Sequence, residues 1–584
     1  MASEKPIPYT QFACIGAGFS GICLGATLQR WYGITDLRIF EQTASLGGTW
    51  SINRYPGAAC DVPSALYSFS FSTNPNWTRI LPTAPELSAY LEKVASDYSL
   101  PSKITYNTRV TRCEWHESST RWRLTLVDTT TNDVSYHECQ FLFSGAGQFS
   151  KPRPLDVPGI ESFKGKVMHS ARWDSSVSLR DKKVVVFGNG CTAAQIVPSI
   201  VPDCAQLTQI VRSKHWIMPP IDQAVPPRVR KVLQYTPGML ALQRFIIFCL
   251  AEADFPAYPE KGKALREKKR GIAERYMKRT APKKYWDLLI PDFEYGTKRR
   301  IFDSGYLEAL HRENLRLTDE KAVEVLEDGV KLSSGEVVQA DVLVLANGFE
   351  MNQYPIEVVG RGGKTIEEHW EEIGGMAAYN CTHLSGFPNF TLLLGPNTAT
   401  GHTSTVMAIE NATNFALRIL RPALEGEASI VDVKQSAELQ YAHTIQDALQ
   451  KTVWNTGGSH SWYTKEVEVD GKHVKRNGMT FPWWQGRYWS DCLFPVWKDF
   501  EYQGNKTGVS VIKKKRSSKA WVVCLGLLVT GLMAQWAKAN PSSPVVVAVM
   551  TAALRAGMWQ VPGTNASVVD LAGRISSVVA SWRV

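Results

Sequence analysis

The pattern of apolar runs and glycine-rich loops predicts two copies of a strand–loop–helix–strand unit. In the first copy, an apolar strand at 12–15 leads into the loop GAGFSG and a helix over 22–31. In the second copy, a strand at 183–187 leads into GNGCTA and a helix over 194–200. Each unit closes with a further apolar strand. Two such βαβ units with glycine loops predict two doubly wound domains that bind dinucleotides.

Three further apolar segments organise the rest of the chain. CQFLFSGAG at 139–147 predicts the end of the first segment of the N-terminal domain, and ADVLVLANGF at 340–349 predicts the end of the second domain. TLLLGPNTATGH at 391–402 is an apolar strand that runs into a glycine loop, and we interpret it as the return to the N-terminal domain. The stretch 219–285 has a helical pattern with prolines, so we expect an inserted helical subdomain.

The first loop carries Gly16, Gly18 and Gly21. In such a loop the first glycine permits a tight turn and the second permits close approach of a pyrophosphate, while the third permits helix–strand packing. Glu41 follows a strand at 37–40, where an acid accepts hydrogen bonds from ribose hydroxyls. The first site therefore suits FAD.

The second loop carries Gly188 and Gly190, with Ala193 in the third place. After the strand at 207–211 come Arg212 and Ser213. A basic residue at this place pairs with a 2′-phosphate, so the second site suits NADPH. The alternative is that Arg212 is a solvated surface charge.

The predicted fold class is therefore α/β, with two doubly wound Rossmann-like domains, a helical insertion and a C-terminal hydrophobic tail. The predicted segments are the first FAD-binding segment (1–150), the first NADPH-binding segment (151–218), the helical insertion with a Lys-Arg pair (219–328), the second NADPH-binding segment with a linker (329–375), the second FAD-binding segment (376–510) and the tail (511–584).

Charge and cysteine content indicate which partners, which metal or disulfide sites and which compartment to expect. The formal net charge is +10, but nearly all of this excess lies after residue 510, which gives no reason to expect a nucleic-acid partner. Eleven cysteines occur without a C-x-x-C pair, which argues against a zinc site and a disulfide framework and for a reducing compartment. No N-terminal signal peptide is evident, because the first apolar run is short and enters a glycine loop.

Three motifs outside the glycine loops resemble a known family. FKGKVMHSARWD, between the loops, resembles the fingerprint of type I Baeyer–Villiger monooxygenases, a class B flavoprotein monooxygenase family, through Phe163, Gly165, His169, Trp173 and Asp174. GGTWSINRYPGAACD resembles a second signature of that family through Gly48, Trp50, Tyr55, Pro56, Gly57 and Asp61. The pair Lys298-Arg299, shortly before DSGY at 303–306, matches the third. The resemblance covers about residues 1–500.

Two further segments bear on the branch of this family. The loop 395–404 and SWY at 461–463 look more like the hydroxyacetophenone-type and long-chain-ketone branches than the cyclohexanone branch. These two segments leave the substrate class open and do not bear on the type of reaction.

The resemblance implies an NADPH- and O₂-dependent oxidation of a lipophilic ketone to an ester or lactone through a C4a-peroxyflavin. It implies that Arg299 stabilises negative charge in the reaction and that Asp61 holds Arg299, so these two are the predicted catalytic residues. It implies that Lys298 reaches the 2′-phosphate with Arg212 and that His169 acts structurally at the domain junction. The predicted cofactor-binding residues are Gly16, Gly18, Ser20, Gly21, Glu41, Gly48, Thr49, Trp50, Asp61, Tyr67, Gly188, Gly190, Thr192, Ala193, Arg212, Ser213, Lys298 and Arg299.

The tail has its own pattern. A basic cluster at 513–516 precedes an apolar stretch at 520–537 that, as a helix, is about as long as the hydrocarbon core of a bilayer. We expect membrane association, with an intracellular enzyme at the endoplasmic reticulum and its catalytic body facing the cytosol. The alternative is a soluble helical hairpin packed on the catalytic body.

Two other functions remain open from the sequence, as does the oligomeric state. An N- or S-oxygenating flavin monooxygenase would share the scaffold, although Trp173 and Asp61 speak against it. A flavin-dependent NADPH:quinone-type reductase would use both loops without inserting oxygen.

Overall fold

The computed structural model describes residues 6–351, 354–458, 461–469 and 472–504. Within them, the chain forms two large sheets, each with a glycine loop at the end of a central strand. In these ranges no helix is long and apolar enough to span a membrane. The predicted tail, 511–584, lies outside the described residues.

The first sheet has eight strands and is built around Tyr9–Ile15. That strand pairs in parallel with Leu37–Phe40 on one side and with Val134–Ser144 on the other. Because these strands are parallel, their carboxyl ends meet at one edge, which is where ligands bind in such sheets. Across the sheet the strands are Glu357–Val359, Thr108–His116, Arg121–Asp128, Val134–Ser144, Tyr9–Ile15, Leu37–Phe40 and Ile104–Thr105, and Phe390–Leu392 also pairs with Val134–Ser144.

The second sheet has five strands, all parallel, with Lys183–Phe187 in the middle. Its order is Leu315–Thr318, Gln206–Ile210, Lys183–Phe187, Val342–Leu345 and Lys166–His169. A three-stranded antiparallel sheet consists of Ala322–Leu326, Gly329–Leu332 and Val337–Gln339. Smaller two-stranded sheets pair Ile217–Met218 with Ile301–Phe302, Ile430–Val433 with Phe500–Gln503, and Thr464–Val469 with Lys472–Asn477.

Both faces of the second sheet are covered, which fixes its central strand. Val184 and Val186 belong to one apolar core, whereas Val185 and Phe187 belong to another. Alternate residues of a strand point to opposite faces, so this strand is buried on both sides. The same holds for the first sheet, where Phe12 and Ala13 lie in different cores.

Helices cover the sheets and form the insertion. Helix Ala84–Asp97 begins with a capping box, because Thr83 and Glu86 satisfy each other's backbone amides. The helices are Phe19–Tyr32, Thr49–Ile52, Ala84–Asp97, Cys191–Ile200, Pro227–Tyr235, Met239–Glu252, Lys263–Thr280, Trp286–Leu289, Tyr306–Ala309, Ile366–Glu372, Thr405–Ile419, Arg421–Leu424, Gln435–Leu449, Val453–Thr456 and Gln485–Leu493.

Two predicted domain boundaries differ from the sheets. Strand Glu357–Val359 pairs with Thr108–His116, so the chain rejoins the first sheet inside the segment 329–375, which was predicted to contain the second NADPH-binding segment and a linker. Strand Leu315–Thr318 belongs to the second sheet, although it falls inside the predicted insertion, 219–328. Short strands carry too little apolar pattern to be assigned to one sheet from the sequence.

Candidate active site

The first glycine loop lies at the carboxyl edge of the first sheet. Gly16 has a φ of 93°, and a Cβ at this position would lie 2.5 Å from the carbonyl oxygen of Gly145. Gly18 approaches Gly48 so closely that a Cβ on Gly48 would lie 3.0 Å from the Cα of Gly18. Side chains are thus excluded here, and backbone amides at the start of the following helix stay accessible to a phosphate group.

Glu41 lies buried beside this loop. Its Oε2 accepts a hydrogen bond from the amide of Ala17 at 2.9 Å, and its Oε1 accepts from the amide and hydroxyl of Thr43 at 2.9 and 2.8 Å. Ser20 and Gly21 are buried in the first turn of the helix that follows. The structure therefore brings Glu41 against the loop, with its carboxylate held by three donors.

The GGTW segment packs on the same loop. The amide of Gly47 donates to the carbonyl of Ala17 at 3.0 Å, and Thr49 begins a short helix. The indole nitrogen of Trp50 donates to the hydroxyl of Tyr67 at 3.2 Å, and the two rings meet edge to face at 5.6 Å. The predicted residues Gly48, Thr49, Trp50 and Tyr67 thus form one surface next to the glycine loop.

Asp61 and Arg299, 238 residues apart in the chain, form a bidentate ion pair. The Nε of Arg299 donates to Oδ2 of Asp61 at 2.5 Å, and its Nη2 donates to Oδ1 at 2.7 Å. Burial alone would raise the pKa of Asp61, but the charge and hydrogen bonds of Arg299 outweigh it and lower that pKa. The side chains of Asp61 and Arg299 keep 26% and 33% of their surface exposed, so a ligand can reach the guanidinium.

Several buried residues surround this pair. Tyr463, from the SWY segment, is close enough that the charge of Arg299 lowers its pKa, although burial dominates and raises it. Tyr258 experiences the same two opposing effects on its pKa, burial and the charges of Arg300 and Arg299. Burial also raises the pKa of Cys191, to about 12, so this thiol is uncharged at neutral pH. These neighbours of the guanidinium are therefore neutral, and its charge is matched by Asp61.

Arg300 forms a second ionic network that the sequence did not reveal. Its Nη1 donates to the hydroxyl of Tyr258 at 3.2 Å, and its Nη2 lies 3.2 Å from Oδ2 of Asp254. Asp254 also pairs with Lys269, and the Tyr258 hydroxyl donates to the carbonyl of Gly401 at 3.1 Å. This network links Arg300 to Asp254 and Tyr258, which follow helix Met239–Glu252, and links Tyr258 to the loop 395–404. No local signal identifies Asp254 as its acid, because it lies in the connection after the apolar helix Met239–Glu252.

The second glycine loop repeats the arrangement of the first. Gly188 has a φ of 120°, and a Cβ there would lie 2.3 Å from the carbonyl oxygen of Ala346. A Cβ on Gly190 would meet no described atom within 4 Å, so open space lies beside it. Thr192 and Ala193 follow in the first turn of helix Cys191–Ile200. This loop is therefore open at the start of a helix, as a pyrophosphate requires.

Three predicted phosphate ligands lie beyond that loop. Arg212 is exposed, and its charge, together with burial as the larger effect, lowers the pKa of Lys298. Neither side chain forms an ion pair with a carboxylate in the described part of the chain. The backbone at Ser213 is held by Asn189, whose amide donates to the Ser213 carbonyl at 3.3 Å. Two neighbouring cations suit a phosphate, and the charge of Asp292 offsets part of the effect of Arg212 on Lys298.

The segment between GGTW and Asp61 contacts the helix that follows the second glycine loop. The hydroxyl of Tyr55 donates to Oε1 of Gln195 at 2.9 Å, and the amide of Gln195 donates to the carbonyl of Ala59 at 3.0 Å. Gly57 sits against the same helix, where a Cβ would lie 2.6 Å from a carbonyl oxygen. The GGTW–Asp61 motif thus connects the two nucleotide-binding helices, and Asp61 lies where they meet.

His169 lies at the junction of the two linkers between the sheets. Its Nε2 lies 3.1 Å from the carbonyl of Gly348, while its Nδ1 accepts from the amide of Ala171 at 3.0 Å. Burial lowers its pKa, so it is neutral with the proton on Nε2. Trp173 packs against the apolar core that contains Val184 and Val186, and Asp174 pairs with Lys166 at 2.8 Å. The linker fingerprint therefore consists of residues in structural contacts.

Comparison with known proteins identifies clear similarities. Residues 10–230 match the family described as flavin-binding monooxygenase-like. The chain is 36% identical to a Baeyer-Villiger monooxygenase of Streptomyces coelicolor, over 81% of this chain and 89% of that protein. It is 33% identical to one of Pseudomonas aeruginosa, over 83% and 90% of the two chains.

Solved structures agree on the fold. An oxidized steroid monooxygenase bound to NADP has 26% identity and a TM-score of 0.73, with 85% of this chain and 99% of that chain covered. Cyclohexanone monooxygenase from Rhodococcus sp. Phi1 bound to NADP⁺ has 23% identity and a TM-score of 0.74, with 86% and 100% covered, and it shares the fold. From the identity and coverage of these relatives, this chain belongs to the Baeyer–Villiger monooxygenase family of flavin- and NADPH-dependent enzymes.

Proposed function

We propose that this enzyme oxidises a lipophilic ketone to an ester or lactone, at the expense of NADPH and O₂. One oxygen atom enters next to the carbonyl carbon and the other leaves as water, while NADPH gives up a hydride to become NADP⁺ and one proton is taken up from solution. The observation that carries the proposal is the bidentate Arg299–Asp61 pair at the place where the two dinucleotide-binding units meet.

FAD fits the first loop. Side chains are excluded at Gly16 and Gly48, so a pyrophosphate can approach the backbone, and Glu41 lies beside the loop for a ribose. The remaining residues proposed to hold FAD are Gly18, Ser20, Gly21, Thr49, Trp50, Asp61 and Tyr67. When bound and reduced, this cofactor supplies the activation of dioxygen.

NADPH fits the second loop. Arg212, Ser213 and Lys298 offer two cations and a hydroxyl to a 2′-phosphate, and burial and the charge of Arg212 lower the pKa of Lys298 against the opposing charge of Asp292. Gly188, Gly190, Thr192 and Ala193 form the proposed pyrophosphate contact, with open space beside Gly190.

Arg299 stabilises the negative charge that develops on oxygen when the carbonyl is attacked. Asp61 fixes its Nε and Nη2, while Nη1 makes no hydrogen bond to any described residue. A donor that is oriented in advance stabilises such charge more strongly than a mobile one. Asp61 is therefore a positioning residue, and Arg299 is the group that meets the reacting atoms.

Aromatic rings near Arg299 favour a lipophilic substrate. The ring of Tyr463 lies 4.3 Å from that of Trp462, Trp462 meets Phe149 at 5.7 Å, and Phe149 meets Phe349 at 5.5 Å. Phe149 and Trp462 stay 41% and 39% exposed, so this series opens from the buried Tyr463 to the surface. A row of apolar rings that begins beside the Arg299 guanidinium suits a ketone with a large hydrocarbon part.

The proposal is tested with a panel of substrates. Purified protein with FAD and NADPH is given long-chain, aryl and cyclic ketones, together with a tertiary amine and a thioether of matched size. We expect esters or lactones from at least one ketone class, identified by mass spectrometry. Oxidation of the amine or thioether alone would assign N- or S-oxygenation instead, and NADPH oxidation with a quinone but no oxygenated product would indicate a reductase.

We further propose that the segment 511–584 associates with a membrane, at the endoplasmic reticulum with the catalytic body in the cytosol. The support is the basic cluster before an apolar stretch of spanning length. Carbonate extraction of membranes from expressing cells checks it: the protein should stay in the pellet, and release into the supernatant would contradict a spanning tail.

A further inference from the structure

Two adjacent helices of the insertion expose apolar side chains. In neither Pro227–Tyr235 nor Met239–Glu252 is any residue fully buried. Tyr235 is 72% exposed and Phe245 is 63% exposed. We call the hairpin surface the exposed apolar set Val229, Val232, Tyr235, Phe245, Ile246 and Leu250.

The opposite face of the longer helix already has its partners. Ile247, Phe248 and Ala251 pack against the apolar core that contains Phe12 of the first sheet. Nη1 of Arg244 donates to the carbonyls of Ala65 and Ser68 at 2.7 and 2.8 Å. A helix that is apolar on all sides is normally covered on all sides. Its outer face therefore requires a partner that the described residues do not supply.

Aromatic side chains border the same helix. The amides of Gln485 and Gly486 donate to the carboxylate of Glu252 at 3.0 and 3.4 Å, so helix Gln485–Leu493 starts at its end. Trp484 and Trp489, at that start and in that helix, are 56% and 53% exposed. Trp and Tyr side chains concentrate at the level of lipid head groups.

The charges of residues 222–252 indicate which kind of surface can bind the hairpin surface. No Asp or Glu occurs from 223 to 251, whereas Arg228 and Lys231 are exposed. The acids at either end are paired: Asp222 lies 2.6 Å from Arg79, and Glu252 lies 2.9 Å from His402. An apolar face flanked by exposed cations is complementary to an anionic lipid surface.

We propose that the hairpin surface docks on the face of an anionic lipid bilayer, with both helices lying along it. The apolar side chains enter the head-group region, and Arg228 and Lys231 meet lipid phosphates and carboxylates. The docking depends neither on the oxidation reaction nor on the segment 511–584.

Hydrogen–deuterium exchange of the full-length protein tests this locally. The protein is measured alone, with phosphatidylcholine vesicles, and with vesicles that contain about 30% phosphatidylserine. We expect peptides within 227–252 to exchange at least ~5-fold more slowly on the anionic vesicles, with less effect on the neutral ones and at high salt. The double variant Phe245→Glu/Ile246→Glu should lose this protection.

Control variants show whether the loss of protection comes from the hairpin surface itself. Val134→Glu/Val323→Glu places the same charges on exposed apolar residues of other elements and should keep the protection. If Phe245→Glu/Ile246→Glu folds poorly, as judged by bound FAD, Val232→Glu/Tyr235→Glu on the other helix replaces it. Unchanged exchange of 227–252 on vesicles that do bind the protein would overturn the proposal. So would protection that appears without vesicles and grows with protein concentration, since a second copy would then be the partner.

Discussion

Removal of Arg299 should damage stability and catalysis in separable ways. Arg299→Ala takes two hydrogen bonds from Asp61, at 2.5 and 2.7 Å, and leaves its carboxylate without a counter-charge. A hydrogen bond to a charged group contributes about 1.5–3 kcal/mol, and a broken buried ion pair strands the remaining charge. Because 26% of the Asp61 side chain is exposed and water can replace part of the contact, we expect a loss of about 2–3 kcal/mol in unfolding free energy.

The double variant Arg299→Ala/Asp61→Asn distinguishes the two effects. It removes the stranded charge, so we expect it to regain about 1–2 kcal/mol of unfolding free energy. Turnover should not return, because the donor to the developing oxyanion is missing in both variants and such a donor contributes at least ~100-fold in kcat. Urea unfolding and product formation by gas chromatography measure the two quantities on the same preparations.

The pH dependence of the stability of Arg299→Ala tests whether the unpaired charge of Asp61 causes the loss. Without Arg299, burial raises the pKa of Asp61, so the folded state of the single variant binds a proton more tightly than the unfolded state. Its stability deficit should therefore shrink as the pH falls from about 8 to about 5. A single variant within about 0.5 kcal/mol of wild type, or a double variant with restored turnover, would refute this reasoning.

Three further outcomes follow from other sites. Arg212→Ala should raise KM for NADPH about 10–100-fold, with little change in kcat and no change in KM for NADH. Steady-state kinetics with both cofactors would measure this, and equal KM changes for both cofactors would contradict a 2′-phosphate contact. Glu41→Gln should weaken FAD retention about 10-fold, measured by equilibrium dialysis, and unchanged retention would remove the ribose contact. Burial lowers the pKa of His137 to about 4, so acidification from about pH 7 to about pH 4.5 should cost about 2 kcal/mol of stability through this residue. His137→Gln should flatten that part of the urea-unfolding profile, and an unchanged slope would contradict it.

Site residues whose role is set by a contiguous stretch of sequence could be predicted. The glycines at 16 and 188 and the acid at 41 follow directly from a strand, a turn and a helix that are contiguous in sequence. The pairing of Asp61 with Arg299 spans 238 residues, and only the family resemblance brought them together before the structure did.

Contacts set by tertiary packing were not predictable. Asp254 follows the apolar helix Met239–Glu252, and nothing in its sequence neighbourhood indicates that it pairs with Arg300 and Lys269. Strand Glu357–Val359 is short, and only its register with Thr108–His116 assigns it to the first sheet. The outer face of Met239–Glu252 carries the same kinds of apolar residue as its inner face, so composition does not distinguish them.

The most direct test of the account follows the oxygen atom. Purified protein, NADPH, ¹⁸O₂ and a ketone that it turns over are combined, and the product is examined by mass spectrometry. We predict an ester or lactone with one ¹⁸O atom inserted beside the carbonyl carbon, and none from Arg299→Ala. An unlabelled product, or labelled ester formed equally by Arg299→Ala, would contradict the account.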